Sequence, residues 1–150
     1  MDQTQKLLNE IIENARMGAS SCEQLIKKTE NPEMRRELQQ EQQVYEGAIR
    51  DAEKMIYASG VKPGATPISQ RMSAWMGMEI NTMMDKSAAH IAEMTIQGAT
   101  MGIISLTKAR NAYADADPQA QGIAAALIEK QQEAIDRLKT HLTETVKSGS

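Results

Sequence analysis

The connections between helices constrain the fold of this chain more than any other feature of its sequence. Apolar residues recur at helical spacing in four long runs, at about residues 4–29, 32–59, 86–113 and 118–146. Two joins are short turns, Asn31-Pro32 and Asp117-Pro118, where a capping side chain precedes a proline suited to the first helical position. The third join, at about residues 59–86, is long. Short turns predict antiparallel pairs, and the long detour lets the two middle helices run parallel in a four-helix bundle.

Composition supports one helical domain. A chain of 150 residues can bury about two-thirds of its unfolded surface as a single domain. Strand signals are scarce, and the frequent residues Ala, Gln, Glu, Met and Lys are good helix formers, so we predict an all-α fold across residues 1–150. The 17 basic residues are dispersed and the net charge is −3, which argues against nucleic acid as a partner, because phosphate binding needs a concentrated basic face.

The sequence also bears on the cellular setting. Cys22 is the only cysteine, so the chain cannot form an internal disulfide. The polar, acidic start is unlike a signal peptide, and no apolar stretch approaches the ~20 residues that span a bilayer. We therefore expect a cytoplasmic protein with no membrane span.

The long connection has an internal pattern of its own. A loop at 59–67 precedes a stretch of helical spacing from 68 to 84, and we expect an additional short helix there. One side of this helix is apolar and carries Ile68, Met72, Trp75, Met76 and Met83. Cap-type residues between 81 and 87 predict a break near Asp85 before the third long helix. The alternative is a continuous helix from 68 to 113, which would be ~69 Å long and would exceed its partners.

Part of the chain resembles a known superfamily. The stretch Leu8-Asn9-Glu10-Ile11-Ile12-Glu13, then Gly18, then Asn31-Pro32-Glu33-Met34 and the Gln-rich helix after it, resembles uncharacterised bacterial ferritin-like proteins. The chain is more loosely similar to the ferritin-like domain of spore coat proteins from Gram-positive bacteria. The likeness is best over residues 7–58. It implies a ferritin-like up-down-down-up bundle, and it implies no settled activity.

Most of the residues that a ferritin-type metal centre needs are missing. Such a centre takes one Glu from each of two helices and a Glu-x-x-His pair from each of the other two. The chain has no Glu-x-x-His; helix two has Glu41 and helix four has Glu129, each without the histidine. We therefore expect a degenerate di-metal site and no cofactor. The alternative is a reduced iron or manganese site formed by Glu41, His90, Glu93 and Glu129.

Two of those residues form a reversed pair in helix three. His90 and Glu93 are three residues apart, so they share one helix face and could hold one side of a metal site. The favoured interpretation is a partly buried histidine that is hydrogen-bonded to its neighbouring carboxylate. His141, near the end of helix four, more plainly suits the negative end of the helix dipole.

The methionines offer a third possibility. Thioethers are soft ligands, so Met72, Met76 and Met78 together with Cys22 could bind a soft metal such as copper(I). Their helical spacing favours packing instead, in the core or at an interface formed by Met72, Trp75, Met76 and Met83. The small residues from 98 to 102 likewise favour close packing, either within the chain or between chains.

These observations lead to one functional hypothesis. We expect a non-enzymatic bundle that self-associates, as a dimer, through its methionine-rich and small-residue surfaces. The spore coat likeness implies a structural or assembly role, with a coat component as a possible partner and a spore-associated location.

Overall fold

Four long α-helices make up most of the chain that the computed structural model describes, which is residues 2–60 and 80–142. They are α1 (Gln3–Lys28), α2 (Pro32–Ala58), α3 (Ala88–Ala112) and α4 (Pro118–Leu138), and the 3-10 turn Lys139–His141 follows α4. No strand occurs in these two ranges. The all-α prediction is therefore confirmed for the described residues.

Each helix begins at a side-chain cap that the sequence supplies. The Asn31 side chain accepts a hydrogen bond from the Met34 backbone N–H at 2.9 Å, and the following proline is the first residue of α2. Asp117 likewise caps α4 ahead of a proline, and Ser87 caps α3. Because a cap satisfies a backbone N–H that has no partner inside the helix, these residues set where the helices begin.

Contacts at the ends of the bundle define its topology. Gln3, at the start of α1, accepts a hydrogen bond at 2.9 Å from the backbone N–H of Asp115, in the turn between α3 and α4. Arg137, near the end of α4, pairs at 2.9 Å with Glu37, near the start of α2. The helices therefore run up, down, down, up, and α2 is parallel to α3. Each hairpin packs on the other, α1 against α3 and α2 against α4.

The long connection is broken before α3. Residues 82–87 are not helical, and the Asp85 side chain accepts a hydrogen bond from the Ser87 backbone N–H at 2.9 Å. The predicted break is confirmed, and a continuous helix from 68 to 113 is excluded. The additional short helix falls mostly on residues 61–79, which lie outside the described residues.

Helix four is shorter than its apolar pattern predicts. We expected it to run to about residue 146, but α4 has 21 residues and ends at Leu138, where the 3-10 turn begins. Leu142, one of the apolar residues within that predicted run, is 38% exposed. The prediction was wrong because apolar spacing persists beyond the point where the backbone leaves the α-helical hydrogen-bonding pattern.

The core is built from the inward faces of all four helices. Its largest fully buried side chains are Leu7, Leu8, Ile11, Ile12, Leu25, Met34, Leu38, Ile56, Ile80, Ile91, Leu106 and Leu138. Burial of this apolar surface is the main stabilising contribution to such a fold. None of the helices that the structure describes is long and apolar enough to cross a membrane.

Candidate functional site

A small set of polar side chains lies inside this apolar core. Asn14 of α1, Glu41 and Tyr45 of α2, and Gln131 of α4 are each at most 6% exposed. We call these four residues the core polar cluster. Buried polar groups are costly unless they are hydrogen-bonded, so their partners decide what the cluster can do.

Neutral amides make most of the hydrogen bonds in the cluster. The Gln131 Nε2 donates to Asn14 Oδ1 at 3.3 Å and to the Tyr45 hydroxyl at 3.4 Å. The Asn14 Nδ2 in turn donates to the backbone carbonyl of Gly102 in α3, at 3.1 Å. A Cβ at residue 102 would lie 2.5 Å from Gln131 Nε2, so this glycine serves packing within the chain. These hydrogen bonds thus tie all four helices together through uncharged groups.

Glu41 stands apart from that network. Neither of its carboxylate oxygens has a hydrogen-bond partner among the described residues, and the same holds for Oε1 of Gln131. The pKa of Glu41 is raised to about 8: burial is the largest cause, the charge of Glu37 also raises the pKa, and the charge of Arg137 lowers it. A carboxylate moved out of water without a partner takes up a proton, because the neutral form costs less to bury.

Glu41 faces a cavity in the middle of the bundle. The cavity measures about 20 Å³, and its lining includes Cys22, Glu41 and Gln131. A neighbouring cleft of about 50 Å³ shares Glu41 and Gln131 and reaches Lys130 and Arg137 between α2 and α4. Glu41 therefore lies between the interior of the bundle and a route toward its surface.

Cys22 is the other acidic group beside this cavity. It is 2% exposed, and burial raises its pKa well above the ordinary value, with further increases from the charges of Glu41 and Glu37. A thiol in that setting is protonated and a poor nucleophile. Cys22 falls three residues before Leu25 on the apolar side of α1, and it is buried there.

The four predicted metal ligands do not meet at one place. Glu41 is buried, whereas Glu93 and Glu129 are exposed. His90 lies in the first turn of α3, and the α3 residues that line the cavity with Glu41 come later in the helix, at 95, 98 and 99. Within residues 2–60 and 80–142, no three His, Cys, Asp or Glu side chains are arranged to hold a metal ion.

A carboxylate-bridged metal pair does not fit the core polar cluster. Such a pair needs several carboxylates that face one another, and the cluster offers Glu41 alone. Two of its other members present amide N–H groups inside the core, from Asn14 and Gln131. These amide hydrogens are committed to hydrogen bonds within the core, so Asn14 and Gln131 do not replace the carboxylates that a di-metal centre needs.

Only part of the predicted methionine surface belongs to the residues that the structure describes. Met72, Trp75, Met76 and Met78 lie outside the described residues, so the interface and soft-metal hypotheses for them stay predictions. Met83 is 9% exposed and packs in the hydrophobic core of its own chain.

A second feature lies on the outside of the bundle, between α2 and α4. A groove of about 560 Å³ follows these helices, and we call it the α2–α4 groove. Its apolar and small lining residues are Val44, Gly47, Ala48, Gly122, Ile123, Ala126 and Leu127. Among the described residues, a Cβ at residue 122 would meet nothing within 4 Å, and one at residue 47 would meet only Arg50, at 3.8 Å. The fold itself therefore does not require either glycine.

Sequence reasoning missed three members of the core polar cluster: Asn14, Tyr45 as a polar group, and Gln131. The signal for Gln131 was its position, four residues after Leu127 and three before Ala134, on the stripe that faces the core. Asn14 likewise falls three residues after Ile11 and directly before Ala15. A polar residue on an apolar stripe marks a buried hydrogen bond, but the stripe alone does not name its partner.

Comparison with known proteins adds no relative to this description. No protein-family model, curated protein or solved structure matches the chain. The ferritin-like relationship therefore stays a prediction, and function is inferred from the core polar cluster and the α2–α4 groove.

Proposed function

We propose that this protein is a non-enzymatic, ferritin-like bundle that self-associates as a dimer and has a structural or assembly role. The observation that carries the proposal is the α2–α4 groove with its two glycines. The parallel arrangement of α2 and α3 supports the ferritin-like part. The likeness to spore coat proteins extends the proposal to coat assembly from the cytoplasm of a Gram-positive bacterium.

The two glycines support an interface because each of them makes its helix less stable. A glycine inside a helix is ~1 kcal/mol less favourable than alanine. Gly47 and Gly122 both carry that cost, and among the described residues only Arg50 comes within 4 Å of a Cβ built at either position, at 3.8 Å from residue 47. Helix-interior glycines allow another backbone to approach closely, so a helix from outside the chain accounts for both.

The charges at the ends of the groove favour a second copy of this chain as the partner. Because α2 and α4 are antiparallel, the exposed Asp51 lies at one end of the groove and the exposed Lys130 at the other. A two-fold axis across the groove exchanges its ends and places Lys130 of one copy near Asp51 of the second. Lys130 already lies 3.5 Å from Glu133, but exposed pairs of this kind are worth little and exchange readily.

The core polar cluster supports the non-enzymatic part of the proposal. Its hydrogen bonds are made by amides and a phenol, and its one carboxyl group is held neutral by burial. Hydrogen bonds between buried amide groups rigidify a core, and amides neither take up nor release protons near neutral pH. The cluster is thus suited to holding the helices in register.

The test is the oligomeric state of the full-length chain. Sedimentation equilibrium should show a concentration-dependent dimer, weakened at least tenfold by Gly47→Gln and by Gly122→Gln, which fill the groove with polar side chains. Thr100→Gln, at an exposed position of α3, is the matched control and should leave the dimer unchanged. A chain that stays monomeric at all concentrations would overturn the proposal. A dimer that tolerates both groove variants would place the interface on another face.

A second candidate function is iron or manganese binding, and the unpartnered oxygens of Glu41 favour it. It needs His90, Glu93 and Glu129 as further ligands, and the last two are exposed. Metal analysis of untagged protein, covering copper for the methionine hypothesis as well, separates the candidates. Near-stoichiometric iron or manganese that is lost in Glu41→Ala and His90→Ala would replace the non-enzymatic proposal.

A further inference from the structure

The cavity at the centre of the bundle has the features of a binding site in its own right. We propose that Cys22, Glu41 and Gln131 together bind one divalent cation of the zinc class, as a mononuclear structural site. This inference goes beyond the proposed function, and it holds whether or not the chain self-associates.

Three oxygens of the residues that line the cavity have no hydrogen-bond partner among the described residues. Both carboxylate oxygens of Glu41 and Oε1 of Gln131 lack a hydrogen-bond partner, and both residues line the same cavity. Each residue is 3% exposed, so bulk water does not serve them. A buried unsatisfied group costs ~1–3 kcal/mol, and native proteins rarely keep three of them around one cavity.

The cavity has the volume of one small guest. The cavity of about 20 Å³ exceeds the ~10–15 Å³ that a single water-sized guest requires, but it does not hold two. While Glu41 keeps its proton, one water molecule can accept from the carboxyl group and donate to the other two oxygens. Once Glu41 is ionised, all three oxygens are acceptors, and a water molecule, which donates two hydrogens, leaves one of them unsatisfied. A cation can contact all three acceptors at once.

The charges that the lining residues can carry also favour a divalent cation. Cys22 and Glu41 are more acidic than Tyr45, the other titratable group that lines the cavity, and as thiolate and carboxylate they carry two negative charges. A divalent cation neutralises both, which removes the penalty of burying either charge alone. Binding then amounts to an exchange of two protons for one metal ion.

The donor set selects the zinc class among divalent cations. Magnesium and calcium take six or more oxygen ligands, and a thiolate is a poor ligand for both. Zinc takes four ligands and accepts sulfur and carboxylate oxygen together. The Sγ of Cys22, the two Glu41 oxygens and Oε1 of Gln131 amount to four donor atoms.

The site would join three helices. Cys22 belongs to α1, Glu41 to α2 and Gln131 to α4. The cleft that shares Glu41 and Gln131 and reaches Lys130 and Arg137 supplies a path by which the ion enters. The ion would thus cross-link the bundle at the level of the core polar cluster.

The experiment uses the full-length chain after removal of metals with a chelator. Calorimetric titration with Zn²⁺ should give one site per chain, and Cd²⁺ should produce the near-ultraviolet charge-transfer absorption of a cadmium–thiolate bond. Glu41→Gln, which preserves side-chain volume, and Cys22→Ala should each weaken Zn²⁺ binding at least tenfold. Glu93→Gln and Glu129→Gln change exposed carboxylates and should leave affinity unchanged.

Three results would overturn the proposal: wild-type protein that binds no Zn²⁺, wild-type affinity in Glu41→Gln, or Cd²⁺ binding without thiolate absorption. Circular dichroism establishes that each variant is folded before titration. If Cys22→Ala does not fold, the cadmium absorption of the wild-type protein decides the role of the thiol. Because every readout is per chain, failure of this site leaves the dimer proposal untouched, and the reverse also holds.

Discussion

Gly18 in α1 packs so closely against the ring of Tyr45 in α2 that a Cβ at residue 18 would lie 2.5 Å from Cζ of that ring. The ring is 6% exposed, and its hydroxyl accepts a hydrogen bond from Gln131. It therefore cannot move away from α1 without disturbing the core polar cluster. This contact sets the separation of α1 and α2 beside the cavity.

Gly18→Ala should consequently destabilise the protein, although alanine is the better helix former. The added methyl group overlaps the Tyr45 ring, and overpacking of this kind costs ~1–3 kcal/mol, more than the ~1 kcal/mol gained in helix propensity. Urea unfolding should show a lower midpoint with an unchanged slope, which identifies a change in the free energy of unfolding.

Gly122→Ala is the matched control for that substitution. Its Cβ meets none of the described residues within 4 Å, so only the gain in helix propensity remains. At a protein concentration low enough to keep the chain monomeric, we expect stabilisation by about 0.5–1 kcal/mol. If both alanine variants shifted stability in the same direction, the account of Gly18 would be wrong.

Local signals in the sequence predicted the helices well. Asn31 and Asp117 cap α2 and α4 as their cap-plus-proline patterns predicted, because capping depends only on neighbouring backbone groups. Met34, Leu38 and Tyr45 recur at helical spacing along α2 and are buried, whereas Val44 and Ala48 are only partly buried and line the α2–α4 groove. Such features follow from periodicity, which is visible within one helix.

Hydrogen bonds between side chains of different helices could not be predicted from the periodicity of any one helix. The hydrogen bond from Gln131 to Asn14 joins residues 117 positions apart, so neither helix alone indicates it. Glu129 and Gln131 are two positions apart on α4, yet the first is exposed and the second buried. The prediction of Glu129 as a ligand rested on its carboxylate group and not on its angular position around the axis of α4. That angular position decides which side chain faces the core.

Asn14→Ala should be among the more costly polar substitutions. It removes the amide that donates to the Gly102 carbonyl and accepts from Gln131 Nε2. Each of these two buried groups then loses one hydrogen bond. We expect a loss of ~2–3 kcal/mol in the free energy of unfolding. Gln132→Ala, which changes an exposed residue beside Gln131, should cost less than about 0.5 kcal/mol. Equal costs would mean that the Asn14 hydrogen bonds contribute little to stability.

The burial of Glu41 makes stability depend on pH in metal-free protein. Its pKa rises from 4.5 to about 8 on folding, so between these values the folded state binds a proton that the unfolded state has released. The contribution of Glu41 to the free energy of unfolding is complete below about pH 4.5, decreases as the pH rises, and is fully lost above about pH 8. The slope is at most about 1.4 kcal/mol per pH unit. Urea unfolding between pH 6 and pH 8 with a chelator measures it, and Glu41→Gln should flatten the dependence.

The ion pair beside Glu41 should tune the same pH dependence. Arg137 lowers the pKa of Glu41 and Glu37 raises it, and these two side chains pair at 2.9 Å. Arg137→Gln should therefore raise the pH at which the stabilising contribution of Glu41 is fully lost, and Glu37→Gln should lower that pH. Because the pair is partly exposed, neither change should cost more than about 1 kcal/mol at pH 6. NMR titration of the Glu41 carboxyl carbon reports the shift directly, and movement of both variants in one direction would refute this electrostatic account.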